Sequence, residues 1–321
     1  MLNILYDPYI VEEVVFFKLR EIEGTGNTEL YGQYHNRSDR IYELDDEDER
    51  SDGFVELNKE FFNTLGFSEA VRVVVDEFPE LHEKIEEIHI RKPTTIIEVG
   101  SDLVDKRKKA VIRLFSEQFM DITHLKKFFR HELMHVVDML DEKFGYKEGK
   151  LAKLPVEETI VREKYKLFWD IFIDSRLEKR GKETVQSKDE RFGEFEKLYA
   201  RLPADGRKAV FEGLWKEENL THDKAVELAK DFTKLVAVYG GTLQEGVEEA
   251  KKALIPGSPC PLCSFPTFNW MDTASLDEQI IRLIKADFPD WQVDDGICDR
   301  CTECYTVKAG LWFKPKGIAV S

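Results

Sequence analysis

Two histidines four residues apart, with a glutamate directly after the first, spell HELMH at residues 131–135. On a helix, positions i and i+4 share a face about one turn apart. The imidazoles of His131 and His135 can therefore hold one tetrahedral ion between them. Glu132 then points beside the ion, where a carboxylate can take a proton from a metal-carried water. This pattern offers hydrolysis, with zinc as the Lewis acid and Glu132 as the general base.

Two histidines hold catalytic zinc poorly, so a third protein ligand is expected, leaving one position for water. Four acids compete. Asp138, seven residues after His131, falls on the same helical face, and it also suits an orienting partner for a liganding histidine. Asp141 matches the last ligand of the extended HExxHxxGxxH spacing, although the turn glycine of that spacing is Asp138 here. Asp170 and Asp174 are i,i+4 partners in LFWDIFID (167–174), among Leu167, Phe168, Trp169, Ile171, Phe172 and Ile173. Carboxylates in such an apolar run are costly unless a cation or hydrogen-bond donors compensate them. A metal explains both, with one as ligand and the other orienting a histidine. For the charge that develops during hydrolysis, His124, Tyr146 and Arg176 are candidate donors.

Short strands, then a metal-binding helix, then a second helix with a further ligand is the arrangement of zincin-like metallopeptidases. The sequence resembles that class at His131, Glu132 and His135. A W-[N/D]-x-x-x-D segment downstream of HExxH also resembles the metallopeptidase domain found in bacterial proteins beside von Willebrand A-type modules. That likeness aligns Trp169, Asp170 and Asp174, and it implies Asp174 as the third ligand.

All five cysteines lie after residue 259, as CPLC (260–263) and CDRCTEC (298–304). Two C-x-x-C turns complete a closed four-thiolate zinc site, which leaves no open position for catalysis. The expected quartet is Cys260, Cys263, Cys298 and Cys301, with Cys304 as an alternate. The spacing resembles zinc ribbons, with a helix inserted at SLDEQIIRLIKADFPDW (275–291). Such a module is structural and can also hold a protein partner. Clustered, odd-numbered cysteines suit metal binding in a reducing cytoplasm better than a disulfide framework.

The elements that must position these groups follow from pattern. THLKKFFRHELMHVVDML (123–140) is amphipathic, with Asp121 or Thr123 as its N-cap. VEETIVREKYKLFWDIFIDSRLEKR reads as one long helix that Gly181 stops. EIHIRK, TTIIEVG and KKAVIRLFSE read as strands, the last of them as an edge to which an extended peptide can add. SEAVRVVVDEFPELHEKIEEI (68–88) reads as a helix running towards a strand. The acidic run ELDDEDERSD (43–52) reads as a solvated loop. More helices fill 189–253, THDKAVELAKDFTKLVAVY among them, and IPGSP (255–259) reads as a linker.

With 42% apolar and 34% charged residues, the 321-residue chain is globular, with material for more than one domain. A net charge of −16 argues against nucleic-acid partners and anionic membrane surfaces. No apolar stretch approaches the roughly 18 residues of a membrane span, and the N-terminal residues carry no secretory pattern. The expectation is an α+β protein in three parts: an N-terminal segment (1–66) packing on the core, a zincin-like domain with a helical extension (67–254), and a zinc-ribbon-like module (255–321). Its expected function is zinc-dependent hydrolysis of a peptide or protein in the cytoplasm. A silent protein-interaction scaffold on the same core is the alternative.

Overall fold

A computed structural model describes residues 2–26, 28–152, 155–199, 202–240, 254 and 257–310. The fold class is α+β, with thirteen α-helices and a small mixed sheet among the described residues. Strand β1 (Asn3–Tyr6) is followed by helices α1 (Pro8–Gly24), α2 (Thr28–Tyr42), α3 (Glu47–Thr64), α4 (Phe67–Val75) and α5 (Pro79–Lys84). Strands β2 (Glu87–Arg91), β3 (Gly100–Val104) and β4 (Lys109–Arg113) then lead into α6 (Ile122–Leu140). Helices α7 (Pro155–Lys179), α8 (Lys188–Leu198), α9 (Ala204–Lys216), α10 (His222–Lys230) and α11 (Phe232–Tyr239) follow. The cysteine-bearing part adds β5 (Ser258–Pro259), β6 (Pro266–Thr267), α12 (Glu278–Asp287) and α13 (Asp299–Lys308). None of the described helices is long and apolar enough to cross a membrane.

The chain divides into two compact units. One comprises Met1–Lys147, Phe168–Lys197 and Leu214–Lys224; the other comprises Glu148–Leu167, Leu198–Gly213 and Ala225–Ser321. The N-terminal 66 residues belong to the first unit and supply it with β1, which pairs in parallel with β2.

The sheet runs in the order β1-β2-β4-β3, parallel except for β3, which is antiparallel to β4. β4 is therefore an inner strand, and its buried Ala110, Val111 and Ile112 form the continuous apolar run that a strand covered on both faces needs. The edge beside the HELMH helix is β3, not KKAVIRLFSE as the sequence suggested. A tight turn makes β3 and β4 a hairpin, with Asp105, Lys106 and Arg107 all at positive φ (51°, 55° and 67°). Arg107 spans from this turn to the carbonyls of Met139 (3.2 Å) and Tyr146 (2.9 Å). It thereby meets a C-terminal carbonyl of α6 that has no partner within the helix.

Other local expectations change for identifiable reasons. The acidic run is exposed as expected, but only 43–46 stay outside a helix, and 47–52 form the start of α3: Asp46 caps it by accepting from the Glu49 N–H (2.9 Å), and Glu47, Asp48 and Glu49 occupy the first turn. Negative charge is favoured there by the helix dipole. Pro79 divides 68–88 into α4 and α5, since a proline supports a helix start but not its interior. In TTIIEVG, Ile96–Glu98 form a single 3₁₀ turn, and β3 starts only at Gly100. Asp231 caps α11 and so splits the helix expected from 221 onwards. Residues 241–253 and the first two residues of IPGSP (255–256) lie outside the described residues; Gly257 is in a turn and Ser258–Pro259 form β5.

Candidate metal centres

α6 starts where its cap dictates: Asp121 accepts from the backbone N–H groups of Thr123 (2.9 Å) and His124 (3.0 Å). Its apolar stripe, including Leu125, Phe129, Leu133 and Val136, is buried. Burying that stripe stabilises by roughly 1.5–3 kcal/mol per side chain, and it fixes the rotation of the helix. His131, Glu132, His135 and Asp138 are consequently buried as well. α7 runs through LFWDIFID to Lys179, and Gly181 (φ +69°) ends it as expected.

Three acceptor atoms from the two helices converge. His131 Nε2 and His135 Nε2 are 3.2 Å apart, and Asp170 Oδ1 lies 3.3 Å from the first and 3.1 Å from the second. A tetrahedral ion with N and O ligands at about 2.0–2.1 Å has donor–donor edges of about 3.3–3.4 Å. The triangle thus has the dimensions of one face of such a tetrahedron, and these three residues form a group able to hold a metal ion.

Asp174, expected from the likeness as third ligand, sits elsewhere. Its Oδ1 lies 2.9 Å from His131 Nδ1, the other ring nitrogen. An Nδ1–H donated to this carboxylate leaves a lone pair on Nε2, the tautomer a ligand needs. Asp170 thus meets the two Nε2 atoms and Asp174 the Nδ1 of His131, the reverse of the placement that the likeness implies. Asp174 is fully buried, and its Oδ2 accepts from Arg191 Nε (2.6 Å). Arg191 Nη1 also lies 3.5 Å from Asp170 Oδ2 and 2.9 Å from Glu194.

Charge explains why the cluster holds together. Burial opposes ionisation of Asp170, but hydrogen bonds to His131 and His135 and the charges of His131 and Arg191 hold its carboxyl well below the usual range. Burial likewise works against a charged His131, yet Asp170 and Asp174 raise it to about 10 in the protein alone. The two carboxylates demand positive charge at this point. A divalent cation would supply it in place of the proton on His131, which frees that Nε2 lone pair to act as a ligand.

The remaining candidates take other work. Asp138 is not a partner of either histidine; it accepts from Trp169 Nε1 (2.7 Å) and from both terminal nitrogens of Arg176 (2.8 and 2.5 Å). It acts on the site through Trp169, whose ring stands edge-on to His135 at 4.4 Å. Arg176 is committed to Asp138 and lies over the Phe172 ring. Asp141 caps α6 at its C-terminus and accepts from the Lys143 N–H (2.9 Å). His124 is in the first turn of α6, about two turns before His131. Tyr146 tilts over Trp169 at 5.7 Å and meets the His222 ring at 5.5 Å.

Sequence reasoning missed Arg191, which nothing in KDERFGEF sets apart from a surface arginine. It also missed the approach of β3 to Glu132. Ser101 Oγ donates to the Glu132 carbonyl (3.1 Å). A Cβ built at Gly100 would lie 3.6 Å from Glu132 Oε2. Among the described residues, no donor reaches the Glu132 carboxylate.

In the second unit, Cys260 and Cys263 lie in the turn between β5 and β6, whereas Cys298 caps α13 and Cys301 sits in its first turn. The second pair therefore comes from a helix start, unlike a plain ribbon. Sγ separations are 4.0 Å for Cys260–Cys301 and 3.8 Å for Cys263–Cys298, and all four sulfurs lie within 4.8 Å of one another. Disulfide sulfurs are about 2.05 Å apart; a tetrahedral ion with sulfur at about 2.3 Å has edges of about 3.8 Å. Burial opposes ionisation of Cys260, but backbone N–H groups of Cys263, Cys298 and Leu262 outweigh it and bring the thiol to about 7. Burial and neighbouring sulfurs push Cys301 upward, so the four thiolates coexist only around a cation. Cys304 is exposed and outside the quartet.

No family model, curated protein or solved structure matches this chain.

Proposed function

We propose that the chain is a zinc-dependent peptide-bond hydrolase on a zincin-like core, with His131, His135 and Asp170 as metal ligands. The observation that carries this reading is the 3.1–3.3 Å triangle of acceptor atoms with Glu132 one residue from its first corner. Two imidazoles and one carboxylate suit zinc among the available divalent ions. An ion held there polarises a carbonyl and lowers the pKa of a water it carries to about 7.

The chain's own groups do the rest. Glu132 takes the proton of the attacking water and later passes it to the leaving amine, a role open to a carboxylate that no donor among the described residues engages. Asp174, itself held by Arg191, fixes the tautomer and tilt of His131. Trp169, anchored by Asp138, packs against His135 and limits its rotation. The edge strand β3 offers unpaired main-chain groups beside Glu132, to which an extended substrate adds as a further strand. That edge is what favours a peptide over a small ester or amide. The cysteine quartet takes a structural zinc, and its module is a surface for a protein partner.

The test is metal content after purification without added metal, followed by Glu132→Gln. We expect two zinc ions per chain, one on nitrogen and oxygen and one on sulfur. The Gln variant should keep both ions and lose on the order of 10²-fold or more in peptide hydrolysis, since the amide cannot take a proton. Products trapped from a lysate by mass spectrometry give the readout. A single all-sulfur site, or iron at the central one, would sink the hydrolytic reading.

A further inference from the structure

Single apolar side chains in solvent are ordinary on a protein surface, but two together beside a candidate site call for an explanation. Ile96 and Ile97 are 72% and 90% exposed, and Ile97 is the most exposed large apolar side chain among the described residues. They sit on the 3₁₀ turn that leads into β3, four and three residues before Gly100. The turn is closed by its own bonds. The Glu98 N–H donates to the Thr95 carbonyl (3.1 Å), and the Val99 N–H donates to the Ile96 carbonyl (3.3 Å). Glu98 Oε2 accepts from the Thr94 N–H (2.7 Å), which engages the only acid of PTTIIEV (93–99). Two isoleucines are therefore held in water on a braced turn, at a hydration cost that folding alone does not explain.

Main-chain pairing shows which way β3 faces. The Leu114 N–H donates to the Arg91 carbonyl (3.1 Å), and the Lys108 carbonyl accepts from the Glu86 N–H (2.8 Å). Even-numbered residues of β4 thus turn their main-chain groups to β2, and odd-numbered ones to β3. By register, Lys109, Val111 and Arg113 stand opposite Val104, Asp102 and Gly100. The N–H and C=O groups of Ser101 and Leu103 are left facing the free edge, and no backbone group among the described residues occupies them. A strand added there is most stable when antiparallel. It would run from Val104 towards Gly100 and pass the Glu132 carboxylate, which lies 3.6 Å from a Cβ built at Gly100. Its next residues then head for the turn.

The chain from Ile97 to Gly100 spans at most about 11 Å, and each extended substrate residue advances about 3.3 Å. The isoleucines are thus within reach of the first three residues beyond the bond that Glu132 serves. We propose that Ile96 and Ile97 are the specificity-determining residues of this hydrolase, covering a large apolar side chain within the first three residues on the carboxyl side of the cleaved bond. The substrate class is an extended peptide with leucine, isoleucine or phenylalanine there. Removing the isoleucines from water favours that side chain over a polar one, and a braced turn loses little freedom on binding. The inference rests on the hydrolytic reading above.

The zinc-loaded protein is incubated with a peptide library, made by tryptic digestion of a whole lysate, and new N-termini are read by mass spectrometry. Chelator-sensitive cleavage is expected, with large apolar side chains enriched at one of the first three positions after the bond. Two synthetic peptides based on the best site, with leucine or serine at that position, then give kcat/KM. The ratio should favour leucine about 10-fold or more. Ile96→Ser combined with Ile97→Ser should cut that ratio about 5-fold or more, whereas Ile96→Leu with Ile97→Leu should keep it. A ratio of two substrates on one enzyme is not moved by a partial loss of folded protein or of metal. Cleavage without apolar enrichment, enrichment only on the amino side, or a ratio unmoved by the serine pair would overturn the inference and leave hydrolysis standing. No chelator-sensitive cleavage of any peptide would overturn the hydrolytic reading and the inference with it.

Discussion

Asp174 Oδ1 and His131 Nδ1 lie 2.9 Å apart, on the ring nitrogen that does not meet His135. This separates the two acids of α7 by function and gives the first prediction. Asp170→Ala removes one corner of the triangle and should empty the central site. Asp174→Asn keeps the shape but weakens the hold on the tautomer, and it should lower metal affinity by about 10- to 100-fold. Metal competition with a chromophoric chelator measures both. Loss of the ion in Asp174→Asn with retention in Asp170→Ala would reverse the assignment.

The division of labour was legible in the sequence, but not its direction. HELMH fixes His131, Glu132 and His135 on one helix because the period of a helix is local knowledge. Asp170 and Asp174 share a face of α7 for the same reason. Which of them reaches Nε2 depends on how far α7 is slid along α6, about one turn either way. That offset is set by tertiary contacts such as Trp169 to Asp138 and Arg176 to Asp138. Arg191 was invisible because its burial comes from α8 packing near α7, not from its own neighbours in sequence. The acidic run is solvated, but the helicity of its second half is missed when charge repulsion is weighed without the helix dipole that Glu47, Asp48 and Glu49 complement.

Trp169→Phe tests the link between Asp138 and His135. The ring stays apolar, but the buried Asp138 loses one of its donors while Arg176 remains. The expected cost is about 1–3 kcal/mol of stability, read as a lower midpoint in denaturation by urea. The central ion should stay bound, because no ligand is touched. An ion lost with stability unchanged would mean that Trp169 acts on the metal directly.

Gly100→Ala addresses the edge strand. The residue has φ +140°, a conformation that side chains rarely adopt, and it lies against the Glu132 carboxylate. Alanine there costs on the order of 1–3 kcal/mol in backbone strain, relieved if the start of β3 shifts. Hydrolysis should fall while both ions are retained, since no metal ligand belongs to β3. Activity equal to the parent, measured on the same peptide, would show that β3 does not set the geometry at Glu132.

The last prediction concerns the cysteine quartet. Cys301 is buried among Ile280, Ile284, Trp291, Ile297 and Tyr305, so the ion it would hold lies at the centre of a very small apolar core. Cores of this size seldom suffice alone, and metal binding then becomes folding free energy. Cys301→Ser should therefore lose the sulfur-held ion and raise amide exchange throughout 257–310. Cys304→Ser should do neither, because that thiol is exposed and stands outside the quartet. Hydrogen exchange read by mass spectrometry gives both answers in one experiment, with residues 122–140 as the internal standard. Unchanged exchange in Cys301→Ser would mean that the module folds without its ion. Loss of the ion in Cys304→Ser would mean that this thiol replaces one of the four.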